Sequence, residues 1–250
     1  MGAGKQIEEA ESELLSRLDG RMGALADDQR CSKTLERLVK GVPLPVFVTL
    51  ATPLLRSFAA LAKSPYASHV LQSVLQCVWP RLDASHDDAL SKQLTSLLEE
   101  AARSVAGERG VEGAKPLASL CKDPCATHTI RSLMLCLGGF TPTGARSAAT
   151  AGASAKKRKK PPPSFVREPT GAGAAADALP SAHSTPPAGF NSCLKELGMQ
   201  LCHAVQSEGV RFAADTYASP VVQLLLRLAK HQRNDRLVRK TVFTTRVSLG

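Results

Sequence analysis

The sequence predicts an all-α fold, a solenoid of helical repeats broken by one long disordered insertion. Three observations predict it. The stretch Tyr66-Ala67-Ser68-His69-Val70-Leu71-Gln72-Ser73-Val74-Leu75 recurs three more times in weaker form. Apolar residues follow a helical period through most of the chain, and no period-2 alternation is long enough for a sheet. Near the middle, composition turns abruptly to Ala, Gly, Ser, Thr and Pro around a basic run.

The other copies are Arg30-Cys31-Ser32-Lys33-Thr34-Leu35-Glu36-Arg37-Leu38, Cys125-Ala126-Thr127-His128-Thr129-Ile130-Arg131-Ser132-Leu133 and Tyr217-Ala218-Ser219-Pro220-Val221-Val222-Gln223-Leu224-Leu225. Each sets a hydroxyl, a variable residue and two core residues in a row, and three of the four then carry Glu or Gln. Ser68 follows Ser32 by 36 residues, Thr127 follows by 59 and Ser219 by another 92. Periods of about 20–50 residues mark stacked supersecondary units that cannot bury their apolar faces alone. The later two steps therefore require insertions between units.

A helical wheel explains the recurring residue types. At about 100° per residue, Ser68, His69 and Gln72 fall within about 100° of one another, while Val70, Leu71, Val74, Leu75 and Val78 occupy the opposite side. The expectation is a core face and an open face, with the hydroxyl, the variable residue and the Glu or Gln all on the open one.

In chain order, residues 7–25 read as an amphipathic first helix that Gly20 and Gly23 weaken. Asp27-Asp28-Gln29 offers cap chemistry before the helix of Ser32 and Glu36. Pro43 and Pro45 break the chain, and residues 46–62 form an apolar helix with a kink expected at Pro53. Ser64-Pro65 suits an N-cap and first helical position for the second motif, whose helix is expected to end near Trp79-Pro80. The lone Trp79 is read as a packing residue. Residues 87–106 make another amphipathic helix, a Gly-rich loop and residues 115–120 lead to the third motif, and Gly138-Gly139 stops it. Residues 190–205 resume helical periodicity ahead of the fourth motif at Tyr217.

The domain reading follows: residues 1–139 as repeats one to three, 140–189 as a disordered basic, Pro- and Ala-rich insertion, 190–233 as repeat four, and 234–250 as a basic tail. The insertion cannot bury enough apolar surface to offset its ordering entropy. Its run Lys156, Lys157, Arg158, Lys159 and Lys160 has the composition of a nuclear localisation signal. The pattern decays beyond Arg233 without an evident polar cap, so a truncated piece of a longer array is expected.

The net charge of +10 is uneven. The insertion run supplies +5 and the segment from Arg227 to Arg246 a net +6, leaving the repeats near −1. Attraction to a polyanion must start from particular side chains, the insertion or the tail. Seven cysteines without framework spacing, and no signal peptide ahead of them, fit a reducing compartment. No run of 18 apolar residues suggests a membrane span, and Gln6 stands where a myristoylation site needs Ser or Thr.

Motifs of the form Tyr-Ala-Ser-His-Val-Leu-Gln, each preceded by a helix, resemble the Pumilio (PUF) repeat, and among such proteins the divergent nucleolar protein 9 family. Asp-Gln-Arg-Cys-Ser-Lys-Thr-Leu-Glu, the acidic first helix and the basic insertion look like that family's N-terminal half. The likeness covers roughly residues 10–139 and 190–230. It implies a Pumilio-like superhelix in which each second helix presents two base-edge residues four apart with a stacking residue between. By position, Ser32 and Glu36 would face one base with Lys33 between them, and the acceptor-only carboxylate would suit guanine. Ser68 and Gln72 would face another, with His69 stacking. Thr127 and His128 fit the third copy, where Arg131 departs from Glu or Gln and would suit phosphate. Ser219 and Gln223 fit the fourth, where Pro220 offers no stacking plane. The family implies binding of precursor ribosomal RNA in the nucleolus and maturation of the small-subunit RNA among pre-ribosomal proteins. A monomer with no cofactor, no membrane association and no enzymatic activity is expected.

Two other chemistries fit these residues poorly. Cys121, Cys125, His128 and Cys136 hold sulfur and nitrogen ligands, but their spacing matches no common zinc site. No nucleophile, base or carboxylate pair sits in a catalytic motif, and Met1-Gly2-Ala3-Gly4-Lys5 lacks the strand and length of a phosphate loop. A HEAT- or armadillo-like scaffold for protein partners stays open as the alternative function.

Overall fold

A computed structural model describes residues 18, 20–107, 116–142, 179, 183 and 186–232. Among these the chain is helical: α1 Met22–Asp27, α2 Gln29–Gly41, α3 Leu44–Arg56, α4 Phe58–Leu61, α5 Ala67–Ala84, α6 Asp88–Ala106, α7 Pro116–Lys122, α8 Ala126–Leu137, α9 Ala188–Glu208, α10 Val210–Ala214 and α11 Ala218–His231. The helices α2, α5, α8 and α11 carry the four motifs and pack side by side in chain order. Behind them α3, α6 and α9 form a second layer, also in order, with short helices at the turns.

Each motif helix starts the same way. Asp28 Oδ1 accepts the Arg30 and Cys31 N–H at 2.9 and 2.8 Å. Ser64 Oγ accepts those of Tyr66 and Ala67 at 3.2 and 3.0 Å. Asp123 accepts from Cys125 and Ala126 at 2.8 Å, and Asp215 from Tyr217 and Ala218 at 2.9 Å. A side-chain oxygen four residues ahead of every motif hydroxyl thus satisfies the helix's orphan donors, at about 1 kcal/mol per cap. The bonds from Cys31 and Arg30 hold the Asp28 carboxyl below its ordinary range.

Pro80 interrupts less than expected, whereas the single helix expected over residues 46–62 divides at Ser57 into α3 and α4. The second-layer helix runs through Pro53 and stops at Ser57, whose N–H reaches the Pro53 carbonyl at 3.2 Å. Likewise α5 passes Trp79-Pro80 and ends at Ala84. Pro80 is exposed, so water can serve the carbonyl that its missing N–H orphans. The extra turn carries Arg81, whose Nη2 donates to the Val39 and Val42 carbonyls at 2.8 Å each while its guanidinium lies 4.3 Å over the Phe47 ring. The first two repeats are bolted together there. Gly20, at φ 70°, separates Leu18 from α1, so the first helix is not continuous across residues 18–22, and residues before 18 lie outside the described set.

Trp79 packs as the sequence suggests. It is 2% exposed, donates its indole N–H to the Cys136 carbonyl at 2.8 Å, stacks on His183 at 5.7 Å and meets Phe190 edge-on at 6.1 Å. These contacts correct the boundary at residue 140. Phe140 is 1% exposed, and the His183 N–H bonds the Gly139 carbonyl at 2.9 Å. His183 also reaches Asp83 Oδ2 at 2.7 Å and the Thr141 hydroxyl. Both ends of the segment expected to lack structure are therefore parts of the core. Residues 143–178, with the basic run Lys156, Lys157, Arg158, Lys159 and Lys160, lie outside the described residues, as does the tail 234–250.

Candidate nucleic-acid interface

The motif side chains sort by position along their helices. The hydroxyl position is the one that departs from the wheel: Ser32, Ser68 and Thr127 are 3%, 2% and 3% exposed. Ser32 donates to the Gln29 carbonyl of its own helix at 3.2 Å, and Thr127 to the Tyr217 carbonyl of the next repeat at 2.8 Å. The Ser68 carbonyl receives the Thr129 hydroxyl at 3.5 Å. The expectation that these hydroxyls stand on an open face is corrected for the first three repeats. A wheel describes one helix with one buried side, whereas a motif helix in a stack is flanked by the next one and loses its shoulder too. Ser219, with no described helix beyond α11, is only partly buried, and its Oγ accepts from Gln223 Nε2 at 3.2 Å.

The neighbouring position stays open. Lys33, His69 and His128 are exposed, and Pro220 is half-buried. At the fourth position Gln223 is exposed, while Glu36, Gln72 and Arg131 are half-buried, long side chains whose aliphatic stems can cover apolar surface. The electrostatics tie these positions together across repeats. His128 is exposed as a whole, but partial desolvation of its ring by its neighbours, ahead of Arg131 and His69, holds the imidazole below its ordinary value. Burial and then Arg227 act in the same direction on Arg131, whose Nε is buried without a hydrogen-bond partner. His69, His128, Arg131 and Arg227 come from three successive motif helices, α5, α8 and α11, that pack side by side.

Sequence reasoning missed Arg227 there. It stands eight residues after Ser219, about 80° away on a wheel, so it shares the side of Ser219 and Gln223. It also missed the Asp123 and Asp215 caps, although each lies four residues ahead of a motif hydroxyl, where Asp28 and Ser64 stand in the first two copies.

Other polar features lie elsewhere. Burial pushes the Cys121 thiol up to about 12 and raises that of Cys136 as well, which makes both poor thiolates. Among the described residues no group of three His, Cys, Asp or Glu side chains is placed to hold a metal ion, and no helix is long and apolar enough to cross a membrane. A groove of about 700 Å³ between α6 and α9 holds Glu99, Glu100 and Glu196, with Arg103 3.9 Å from Glu99 and Arg56 3.8 Å from Glu100.

Solved structures of APUM23 with GGAGUUGACGG, GGAAUUGACGG and GGAUUUGACGG share this architecture at TM-scores of 0.63, 0.63 and 0.64. Their identities to this chain are 19%, 17% and 16%, so the likeness is one of fold. The alignments take in 93%, 93% and 96% of this chain but 38%, 37% and 39% of the APUM23 chains, so it spans well under half their length. No curated protein sequence matches it. The model of the NOP9-like PUF repeat domain matches residues 22–247, a stretch that takes in all four motifs and the insertion. By that match, and with four capped motif helices stacked in register, the chain belongs to the NOP9-like PUF repeat domain family.

Proposed function

We propose that this chain binds single-stranded RNA along the surface of its motif helices and serves nucleolar maturation of small-subunit ribosomal RNA. The observation that carries the reading is that Glu36, Gln72, Arg131 and Gln223, with Lys33, His69 and His128 exposed beside the first three, hold equivalent positions on motif helices that pack side by side, since equivalent side chains at a regular spacing can meet successive nucleotides. Glu36 can only accept hydrogen bonds, which suits the N–H groups of a guanine edge, while Gln72 and Gln223 both donate and accept. Lys33, His69 and His128 stand beside them to meet phosphate or stack on a base. The oligonucleotides held by APUM23 contain uracil, in keeping with an RNA ligand for the shared fold.

On this reading the chain is a monomeric binder, not an enzyme, and works among pre-ribosomal proteins. Lys156 to Lys160 supply a nuclear address. Titrating labelled guanine- and adenine-containing single-stranded RNA against the chain and its Glu36→Ala, Gln72→Ala double variant tests the reading. Selective loss of affinity in the variant supports it, and equal affinity of both proteins for every RNA refutes it. Alanines at residues 156–160 should abolish nuclear accumulation, and unchanged accumulation would remove the nuclear address.

A further inference from the structure

The chain has two tyrosines, Tyr66 and Tyr217, and both occupy the same place in the motif, two residues before the hydroxyl. They stand just ahead of the first helical residues of α5 and α11. A tyrosine ring ordinarily stabilises a fold by burying its large apolar faces. These two are 36% and 40% exposed, among the few large apolar side chains left open. Neither ring packs on another aromatic ring, and neither hydroxyl has a hydrogen-bond partner, among the described residues. Their backbones, by contrast, are pinned. The Tyr66 N–H donates to Ser64 Oγ at 3.2 Å and that of Tyr217 to Asp215 Oδ1 at 2.9 Å, while the Tyr217 carbonyl accepts from Thr127 at 2.8 Å. Two firmly mounted rings thus meet solvent at equivalent points of the stack.

Those points lie beside the candidate surface. Tyr66 precedes His69 by three residues and Tyr217 precedes Pro220 by three, and side chains three apart are neighbours on a helix. On a wheel each ring falls about 60° from that neighbour and about 120° from Gln72 or Gln223, on the side away from the core. At about 1.5 Å per residue it stands about 4.5 Å along the axis from the neighbour, little more than the rise between stacked bases. The fourth repeat is the informative one. Pro220 offers no stacking plane, and Tyr217 brings one within a turn of it.

We propose that Tyr66 and Tyr217 are stacking platforms for nucleobases of bound single-stranded RNA, with His69 continuing the stack in the second repeat and Tyr217 supplying it alone in the fourth. The inference rests on the RNA-binding reading above. Stacking uses a face that every base has, so the rings add affinity without choosing a sequence. Choice stays with the hydrogen-bonding groups of Glu36, Gln72 and Gln223.

The test uses the full chain with labelled GGAGUUGACGG and an oligouridine of the same length, by fluorescence anisotropy at several salt concentrations. Tyr66→Ala and Tyr217→Ala are each expected to weaken both RNAs by about five- to 150-fold, the range for one lost stack. The slope of log affinity against log salt should stay as in wild type, because no phosphate contact is removed. Tyr66→Phe and Tyr217→Phe keep the ring and are expected within about twofold of wild type. Fluorotyrosine in the wild-type chain gives two fluorine resonances, which the phenylalanine variants assign, and both should shift as either RNA is added. That readout needs no alanine variant to fold. Alanine variants that bind as wild type overturn the platforms, as do resonances that stay still at saturating RNA. Phenylalanine variants as weak as the alanine ones, or a changed salt slope, overturn them too, since the hydroxyl would then be the contact. If the tyrosine variants behave as wild type while Glu36→Ala, Gln72→Ala loses affinity, the platforms fail and the RNA reading stands. If wild type binds neither RNA, both fall.

Discussion

Substituting the motif hydroxyls one at a time separates a structural role from a reading role. Thr127 is 3% exposed and donates to the Tyr217 carbonyl at 2.8 Å, which ties the third motif helix to the start of the fourth. Thr127→Val keeps the shape and removes the bond, at a net cost of about 1 kcal/mol, roughly a fivefold change in the folding constant. Ser32 bonds only the Gln29 carbonyl three residues back at 3.2 Å, and alanine there returns helix propensity of about the same size as the lost bond. Ser32→Ala and Ser68→Ala should therefore stay within about 0.5 kcal/mol of wild type. Denaturant midpoints followed by circular dichroism measure the first effect, and anisotropy with single-stranded RNA measures affinity for the same proteins. The expected pattern is a lowered midpoint for Thr127→Val alone and affinities within about twofold for all three. A Ser32→Ala or Ser68→Ala protein with an unchanged midpoint and about tenfold weaker RNA binding would refute the reasoning and place those hydroxyls on bases.

Arg81→Ala removes two charge-assisted bonds to the Val39 and Val42 carbonyls and a ring contact with Phe47, and should cost about 2–3 kcal/mol. Arg81→Lys, without the fork, should recover less than half by the same denaturation assay. Gly138→Ala would set a Cβ 2.8 Å from Leu228 Cδ2 and 3.3 Å from the Met134 carbonyl, so it should lose about 1–3 kcal/mol to crowding. Gly189→Ala meets only the carboxylate end of Glu99, which can swing aside, and should cost under about 1 kcal/mol. The His128 imidazole is held below its ordinary value near 6.5 by burial, Arg131 and His69. Its contribution to stability is present above that value and is lost as pH falls through the depressed one. A bound phosphate favours the charged ring, so RNA affinity should rise as pH drops from about 7.5 to about 5.5, and His128→Gln should flatten the rise.

The parts of the fold legible in the sequence were those set by local chemistry. Val70, Leu71, Val74 and Leu75 mark the core side of α5 by period alone, and Asp28 and Ser64 announce helix starts by residue type. What the sequence hid was set by neighbours. Ser68 is open on an isolated helix and buried once α8 lies beside it, because the covering surface comes from residues some 60 positions away. Pro80 looks like a helix end, yet it withholds only one N–H, and packing around Val78 and Trp79 outweighs that loss. Phe140 and His183 sit in a stretch whose average composition is that of a linker, and an average conceals two anchoring side chains. On the candidate surface, the exposure of Lys33, His69, His128 and Gln223 was legible from the period, while the half-burial of Glu36, Gln72 and Arg131 was not.

The uneven steps of 36, 59 and 92 residues follow from what defines a repeat here. Successive motif helices pack on one another, as do α3, α6 and α9, and chain length between them enters only through the entropy of closing a loop. That entropy grows with the logarithm of length, about 0.6 kcal/mol per doubling. His183 and Gly139, joined at 2.9 Å, close the largest such loop, and Trp79 and Phe190 fix its base. Replacing residues 143–178 by a Gly/Ser linker of about nine residues would shorten that loop roughly threefold and should stabilise the fold by about 1 kcal/mol. His183→Ala in the shortened protein should reverse the gain, because the clasp on Trp79, Asp83 and Thr141 is lost. Denaturant midpoints of the three proteins check both statements. A shortened protein that loses helical signal or melts well below wild type would mean that the insertion itself holds the third and fourth repeats together.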